Sequence, residues 1–279
     1  MKDYYFISGL PRSGSTLLST ILSQNPDFYA DVASPLQGIV QNTIDFISGC
    51  ESNLNLTVER RKNILLSLFD GYYSFLEKPV IFDTCRVWTK KTTLLKELFP
   101  NTKILCCVRD IASIINSFEI INKNNPFYTN ILVAKEYSDN VFLRSDWMLD
   151  KNNGLISVPW IALQEGFAIN PEMIYFAEYN NLCKNPENEM KNIYKFLEQP
   201  YYSHDFDNLE YSNPNFDMAC NLKDLHTVRK KIEYKQQKKV LPSDVWEKYE
   251  SMNMEFWRKV YNPNPDITEK LSKKLINYQ

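Results

Sequence analysis

The hydrophobic positions of this chain form short continuous runs that alternate with stretches of helical spacing. A continuous apolar run predicts a buried strand, whereas apolar residues three and four apart predict one face of a helix. Strands are predicted over residues 4–7, 80–82, 103–108 and 173–178, and helices over 15–24, 36–47, 57–76, 88–98, 111–121, 155–169 and 187–198. This alternation indicates a parallel sheet with helices on both faces. The pattern therefore predicts an α/β fold of three layers, α/β/α.

The stretches outside these elements predict two additions to the sheet. Residues 124–154 are polar and irregular in pattern and are interpreted as a helical lid or an insertion. Residues 200–222 are typical of a loop. Helical spacing returns from Ser243 onward, with Trp246 and Trp257 as anchors, which predicts a C-terminal helical tail. No repeat or low-complexity tract divides the chain, so residues 1–279 are interpreted as a single domain.

A glycine-bearing loop joins the first predicted strand to the first predicted helix. Gly9 and Gly14 have the G-x-x-x-x-G spacing of a P-loop, which makes the fold P-loop-like. Backbone N–H groups at a helix start attract anions, as does the helix dipole. However, Ser15 stands where a nucleotide triphosphatase needs lysine, and Arg12 is the only cation within the loop. The loop predicts phosphate binding without ordinary ATP hydrolysis; the alternative is a strand-to-helix turn with no ligand.

A second anion site is predicted at the end of the strand over 103–108. Arg109 follows this strand, and Ser117 lies about two turns into the next helix. An arginine beside a helix start can bind a phosphate, with the serine hydroxyl adding a hydrogen bond. Alternatively, Arg109 pairs with Asp110 and Ser117 is only a small helix residue. Ligands of parallel sheets bind at the carboxyl ends of the strands, so the two sites are expected to be neighbours.

Composition and charge narrow the classes of partner. Hydrophobic residues make up 44% of the 279 positions and charged residues 24%, as in ordinary globular proteins. The net charge of −2 gives no reason to expect nucleic acid as a partner. Residues 229–239 form the only marked basic run. We interpret it first as a solvated surface segment, and a nucleic-acid patch ranks last because no wider basic face surrounds it.

The cysteines and the apolar run lengths predict a cytoplasmic protein. The six cysteines show no C-x-x-C pair and no metal-ligand spacing, which favours free thiols over disulfides. Cys106 and Cys107 are adjacent in a predicted strand, so their side chains are expected on opposite faces of the sheet. Arg12 interrupts the first apolar stretch, so no signal peptide is expected. The sequence contains no run of about eighteen apolar residues, so no transmembrane helix is expected.

Three motifs together resemble the sulfotransferases that use 3′-phosphoadenosine 5′-phosphosulfate (PAPS). Residues 9–16, Gly-Leu-Pro-Arg-Ser-Gly-Ser-Thr, are similar to the 5′-phosphosulfate loop of that family. Val108-Arg109-Asp110 with Ser117 resembles its 3′-phosphate motif. Residues 179–197, from Tyr179-Asn180-Asn181-Leu182 to Phe196-Leu197, resemble its tyrosine-bearing segment. The resemblance spans residues 4–260 and is nearest to bacterial sulfotransferases and the tyrosylprotein sulfotransferase branch.

The resemblance implies a nucleotide site and a reaction. The enzyme would move the sulfuryl group of PAPS to a hydroxyl or amine acceptor by in-line displacement, leaving 3′-phosphoadenosine 5′-phosphate (PAP) and needing no metal. Arg12 would also stabilise the transition state, and residues 223–241 would form a flexible flap over the nucleotide. His226, within this flap, is given an orienting or structural role. The implied nucleotide-binding residues are Arg12, Ser13, Gly14, Ser15, Thr16, Arg109, Ser117, Tyr179, Arg229 and Lys230.

The chain departs from the family pattern on the acceptor side. Asn180 and Asn181 replace an acidic pair, and Thr84 stands where related proteins often carry a catalytic lysine, with Arg86 as a substitute in another register. Ile121 occupies the position of a second arginine of the tyrosylprotein branch, with Lys123 the nearest cation. Asp31 is interpreted as the general base and Asp83 as the runner-up, although both are equally typical of turns or helix caps.

Two other functions stay open at this point. One is an atypical P-loop kinase or nucleotide triphosphatase, since residues 80–83 resemble a Walker B strand. The other is a non-catalytic protein that binds PAP or PAPS. The acceptor, a small molecule, glycan or peptide, is not readable from the sequence, and neither is the oligomeric state. Aromatic residues of the lid would wall the acceptor site: Phe127, Tyr128, Tyr137, Phe142 and Trp147.

Overall fold

Five parallel strands form one sheet in this computed structural model, which describes residues 2–49, 51–127, 129, 132–209, 211, 214–219, 223 and 225–260. The strands are β1 (Asp3–Gly9), β2 (Phe28–Ala30), β3 (Val80–Thr84), β4 (Ile104–Val108) and β5 (Ile174–Glu178). Their order is β2-β3-β1-β4-β5, with every pair parallel. Since β1 and β4 are neighbours and Gly9 is in register with Cys107, the two predicted anion loops leave the sheet side by side.

Helices cover both faces of the sheet, as predicted. The α-helices are α1 (Ser15–Leu22), α2 (Leu36–Gly49), α3 (Val58–Tyr72), α4 (Thr92–Leu98), α5 (Ile111–Asn124), α6 (Val141–Met148), α7 (Ser157–Ile169), α8 (Tyr179–Lys184), α9 (Pro186–Leu197), α10 (Pro214–Ala219), α11 (Ser243–Ser251) and α12 (Trp257–Val260). Short 3₁₀ turns cover Glu51–Asn55, Trp88–Lys91, Lys135–Tyr137 and Pro171–Met173. None of the helices within the described ranges is long and apolar enough to cross a membrane.

The sheet is buried on both faces, which explains the continuous apolar runs of its strands. Cys106 contributes to the core on one face, together with Trp88 and helices α3, α5 and α7. Cys107 contributes to the core on the other face, against α1 and α9. The two thiols therefore lie on opposite faces, as adjacent strand residues must. The predicted three-layer α/β/α fold is confirmed.

The lid contains a helix that its irregular pattern did not delimit. Asn140 caps α6 by accepting a hydrogen bond from Leu143 N–H at 3.0 Å, and the α6 residue Arg144 forms a bidentate pair with the buried Glu119 of α5 at 2.8 and 2.7 Å. A cap and an ion pair thus position a segment that has little hydrophobic periodicity.

The hydrophobic pattern also did not predict the short helices. Helix α8 has six residues and α10 has six, too few for apolar residues to repeat, and α3 ends four residues before the predicted Leu76. Tyr128 of the predicted lid, Cys50, Cys220 and residues 261–279 of the predicted tail lie outside the described residues.

A buried carboxyl group of α9 is expected to make the free energy of unfolding fall as pH rises. Burial raises the pKa of Glu189 from 4.5 to about 7, although Tyr175 donates a hydrogen bond to it at 3.1 Å. Because the folded state holds this proton more tightly than the unfolded state does, the contribution is complete below pH 4.5. This stabilisation is lost as pH rises through about 7, at a cost of roughly 3 kcal/mol.

Glu189→Gln keeps an acceptor for Tyr175 and removes the titration. The free energy of unfolding, measured in urea from pH 4.5 to 8, is expected to fall in the wild type relative to this variant. The control is Glu187→Gln on the same helix, where an exposed carboxylate pairs with Lys191. Parallel curves for the wild type and Glu189→Gln would contradict the assignment.

Candidate functional site

A cavity of about 1170 Å³ opens at the carboxyl ends of the strands. It lies beside Leu10 after β1, Val32 after β2, Arg109 after β4 and Tyr179 after β5. Eight basic residues are among the described residues that line it: Arg12, Arg86, Arg109, Lys223, Arg229, Lys231, Lys235 and Lys238. Among all the described residues that line the cavity, Glu233 is the single acidic residue. Such a wall favours an anionic ligand.

The loop between β1 and α1 begins with a close approach to β4 that requires glycine at position 9. Gly9 has φ 106°, and a Cβ there would lie 2.2 Å from the carbonyl oxygen of Cys107. Leu10 N–H donates to this carbonyl at 2.8 Å, so the loop turns directly against β4. The Ser13 hydroxyl also donates to the Cys107 carbonyl, at 2.8 Å, and to the Leu10 carbonyl. Because this hydroxyl fixes the loop, Ser13 has only its backbone N–H to offer a ligand.

Arg12 links the two predicted anion sites. Its Nε donates to Ser117 Oγ at 3.2 Å, and Arg109 Nη1 donates to the Arg12 carbonyl oxygen at 3.3 Å. The Arg12 Nη1 donates to the carbonyl of Leu225 in the flap. Burial and the neighbouring charge of Arg109 lower the pKa of Arg12 to about 10. Two guanidinium groups that repel each other in one cavity form a site that a bound anion would relieve.

Arg109 lies against the tyrosine of the third motif. Its guanidinium is 4.1 Å from the ring centroid of Tyr179, and among the described residues its buried Nε has no hydrogen-bond partner. A Cβ on Gly14 would lie 2.9 Å from the Tyr179 ring, so glycine lets the loop approach this ring. The three motifs therefore meet in one cavity, together with Ser15 and Thr16 at the start of α1.

Most of the described residues of the predicted flap line the cavity. Val228 N–H donates to the Tyr211 carbonyl at 3.0 Å, and Leu209 N–H to the Lys230 carbonyl at 2.7 Å. In this extended run Arg229 lines the cavity, whereas Lys230 is exposed and does not line it. The structure thus brings Arg229, but not Lys230, to the site.

The end of the flap is attached to a buried asparagine that the sequence pattern did not single out. Asn116 Oδ1 accepts from Val240 N–H at 2.8 Å and from Leu241 N–H at 3.3 Å, and its Nδ2 donates to the Lys238 carbonyl at 3.0 Å. The available signal was an amide among the buried apolar positions of α5, next to Ser117. This amide fixes where the flap returns to the body of the protein.

The two aspartates predicted as general bases do not reach the cavity. Asp31 does not line it; its carboxylate accepts from Val32 N–H at 2.7 Å and from the Tyr29 hydroxyl at 3.2 Å. Asp83 is fully buried and accepts from the Tyr73 hydroxyl at 2.5 Å and from Trp88 Nε1 at 2.6 Å. Burial raises the pKa of Asp83. Both carboxyl groups are engaged in these local hydrogen bonds.

Arg86 and His226 also line the cavity. Arg86 follows β3 and is exposed there, and its carbonyl accepts from the Ser8 hydroxyl at 3.0 Å. His226 of the flap also lines it, and its Nδ1 lies 2.7 Å from Asp217 Oδ1. Over the described residues, no group of three or more His, Cys, Asp or Glu is placed to hold a metal ion.

Comparisons with known proteins agree with this geometry. The model of the "Sulfotransferase family" matches residues 5–203. Protein-tyrosine sulfotransferase A of Caenorhabditis elegans is 23% identical over 212 residues, which cover 72% of this chain and 51% of that protein. The chain therefore spans about half the length of this curated relative.

Two solved structures share the fold. A sulfotransferase domain from the curacin biosynthetic pathway superposes with a TM-score of 0.53 at 16% identity, covering 99% of this chain and 98% of that one. A mouse sulfotransferase complexed with PAP gives a TM-score of 0.50 at 13% identity, covering 100% of this chain and 89% of that one. At these identities the likeness shows the fold alone.

Proposed function

Because the chain belongs to the sulfotransferase family, we propose that it transfers a sulfuryl group from PAPS to a hydroxyl or amine of an acceptor. The observation that carries this proposal is the contact between the loop residue Arg12 and the strand-end residue Arg109 in one basic cavity. PAP in the mouse structure of the same fold supports the choice of nucleotide.

The residues of the cavity fit a nucleotide with two separate phosphate groups. Arg12, Ser15, Thr16 and the backbone N–H groups after Ser13 would hold the 5′ group at the start of α1. Arg109, whose buried Nε lacks a partner in the described structure, would hold the 3′-phosphate. Ser117 and Arg229 would join Arg109 there, and Tyr179 would lie near the nucleotide. Lys230 is left out of this assignment because it does not line the cavity.

The chemistry needs positive charge where the bond to sulfur breaks. PAPS supplies an activated sulfuryl group on a phosphate leaving group. Arg12 and the loop N–H groups would stabilise the charge that develops on the leaving oxygen, and Arg86 would face the transferred group from β3. This reaction needs no metal ion and no covalent enzyme intermediate.

Asp83 is poorly placed to act as the Walker B residue of a kinase. Both oxygens of Asp83 accept hydrogen bonds from Tyr73 and Trp88, and the side chain is fully buried. A carboxylate in that position is not presented to a magnesium nucleotide. The non-catalytic alternative predicts PAP binding without turnover of PAPS.

Calorimetry with PAP and AMP, without magnesium, tests the proposal. The two ligands differ in the 3′-phosphate, so Arg109→Ala is expected to weaken PAP binding about ten-fold or more and to change AMP binding little. Arg258→Ala, at a surface ion pair with Glu178, is the control and should bind both like the wild type. Absence of PAP binding to the wild type, with tight binding of magnesium ATP, would overturn the proposal. PAP binding without any consumption of PAPS would favour the non-catalytic alternative.

A further inference from the structure

One part of the cavity wall is not needed for the nucleotide. Its residues come from positions 32–34 after β2, 84–87 after β3, 120–124 at the end of α5 and 152–159 between α6 and the first turn of α7. We propose that this wall, called here the acceptor wall, binds a sugar, so that the acceptor hydroxyl belongs to a pyranose ring. The inference rests on the proposed sulfotransferase function and names the class of acceptor.

Two adjacent asparagines of the acceptor wall lie in the loop between α6 and α7. Asp150 Oδ1 accepts from the backbone N–H groups of Asn152 and Asn153 at 3.1 and 2.9 Å, and the Asp150 carbonyl accepts from Gly154 N–H at 2.8 Å. Asp150 thus supplies the acceptors that the turn needs. The amide groups of both asparagines are exposed at the cavity and have no hydrogen-bond partner among the described residues. They are therefore available to a ligand.

A third amide belongs to the end of α5. Asn124 is the last residue of this helix, is exposed and lines the cavity. The ion pair between Glu119 and Arg144 joins α5 to α6, the helix that precedes the asparagine loop. The three amides are thus carried by segments that are fixed to each other.

Aliphatic rather than aromatic side chains complete the acceptor wall. Val87, Leu155 and Val158 line it and are half-buried. Apart from Tyr179 at the nucleotide site, Phe118 is the one phenylalanine, tyrosine or tryptophan among the described lining residues, and it is 1% exposed. The described aromatic residues of the lid do not line the cavity: Phe127, Tyr137, Phe142 and Trp147. An aromatic acceptor would find no exposed ring to stack on at this wall.

Amide groups beside aliphatic side chains match the two kinds of surface that a pyranose ring has. Each amide offers one carbonyl acceptor and two N–H donors, and each sugar hydroxyl both donates and accepts. The C–H groups of the ring gain free energy when they are buried against aliphatic side chains. A phenol has a single hydroxyl and would cover amides that it cannot pair, which costs binding free energy.

The charge of the acceptor wall is low. Among its described residues Arg86 is the one cation that lines the cavity, and none of those lining residues is acidic. A wall with one cation does not favour a polyanionic acceptor such as an acidic peptide. Lys223 of the flap lies near the end of α5, since its backbone N–H donates to Asn125 Oδ1 at 3.3 Å. This lysine gives a single acidic substituent of a sugar a partner.

Saturation-transfer difference NMR on the complex with PAP tests sugar binding without turnover. The probes are the methyl pyranosides of glucose, galactose, mannose and glucuronic acid, with 4-nitrophenol and N-acetyltyrosine amide as phenols. At least one pyranoside is expected to bind more tightly than either phenol. The double variant Asn152→Ala/Asn153→Ala should weaken its binding about ten-fold or more, because hydrogen bonds to its hydroxyls are lost. PAP binding, measured by calorimetry, should not change.

Transfer from PAPS to the same probes, followed by mass spectrometry of the sulfate ester, tests the acceptor class in the reaction. The pyranoside that binds is expected to be sulfated faster than either phenol. The double variant should raise its KM by about ten-fold or more and change kcat little, since the amides bind the sugar before and during transfer. The glucoside and the glucuronide together distinguish a neutral sugar from an acidic one.

Two variants control for these results. Lys151→Ala changes the same loop at a residue that does not line the cavity, and Asn63→Ala removes an exposed amide on α3. Both should bind the pyranoside and PAP like the wild type.

The outcomes separate this inference from the proposed function. A wild type that binds PAP but none of the pyranosides, or that prefers a phenol, would overturn the sugar assignment alone. Equal binding of the pyranoside by the wild type and the double variant would overturn the role of the amides and with it the inference. Failure of the wild type to bind PAP would overturn the proposed function, on which the inference rests.

Discussion

Arg12→Ala is expected to lower the rate of sulfuryl transfer by about 10²–10³-fold. The guanidinium stands between the two phosphate sites and contacts Ser117, so its loss removes a charge and donors from the leaving group. PAP and AMP binding should both weaken by about ten-fold or more, because the 5′ group is common to the two ligands. Single-turnover consumption of PAPS and calorimetry measure the two effects.

Two variants control for the Arg12 result. Arg12→Lys keeps the positive charge but loses the planar set of donors, so its rate should lie between those of wild type and Arg12→Ala. Lys230→Ala removes a flap cation that does not line the cavity and should leave the rate unchanged. An Arg12→Ala enzyme with wild-type turnover would refute the role given to this side chain.

Gly9→Ala is expected to have the largest effect on folding of any single methyl group in the loop. The new Cβ would lie 2.2 Å from the Cys107 carbonyl oxygen, and φ at this position is 106°. Overpacking and an unfavourable φ together should lower the free energy of unfolding on the order of 3–5 kcal/mol. That is a large share of the roughly 5–15 kcal/mol of an ordinary domain. Urea unfolding followed by circular dichroism measures the loss.

Gly38→Ala is the matched control for Gly9→Ala. Gly38 is an exposed residue of α2, and a Cβ there has no neighbour within 4 Å. Alanine has the higher helix propensity, so this variant should gain about 0.5–1 kcal/mol. Equal behaviour of the two variants would show that the close approach of β1 to β4 at Gly9 is not as described.

The parts of the site that were predictable come from strand ends. Gly9, Arg12 and Arg109 each follow or end a buried strand, and neighbouring strand ends in a parallel sheet converge. Their spacing along the chain therefore determines their proximity in space. Tyr179 belongs to this set because it follows β5 directly.

The parts that were not predictable depend on contacts between distant segments. Asp83 was a candidate base because it ends a strand, but Tyr73 and Trp88 from other elements occupy its oxygens. Asp217 reaches His226 from a short helix, and Asn116 reaches Val240 across the flap. No periodicity or spacing encodes such pairs, so the sequence did not predict where the carboxyl groups of Asp31 and Asp83 lie, whereas strand order did predict that Arg12 and Arg109 lie close together.

The backbone conformation of Arg12 affects how variants of this protein would be selected in directed evolution. It has φ 55°, a conformation that is unfavourable by about 1–2 kcal/mol for a residue other than glycine. Its guanidinium also lies against the charge of Arg109. Both penalties fall when glycine replaces arginine. Selection of a random library for heat resistance alone would thus accept Arg12→Gly readily and enrich inactive descendants. A screen of variants of this protein needs turnover as its second criterion, because at residue 12 thermal stability and activity favour different amino acids.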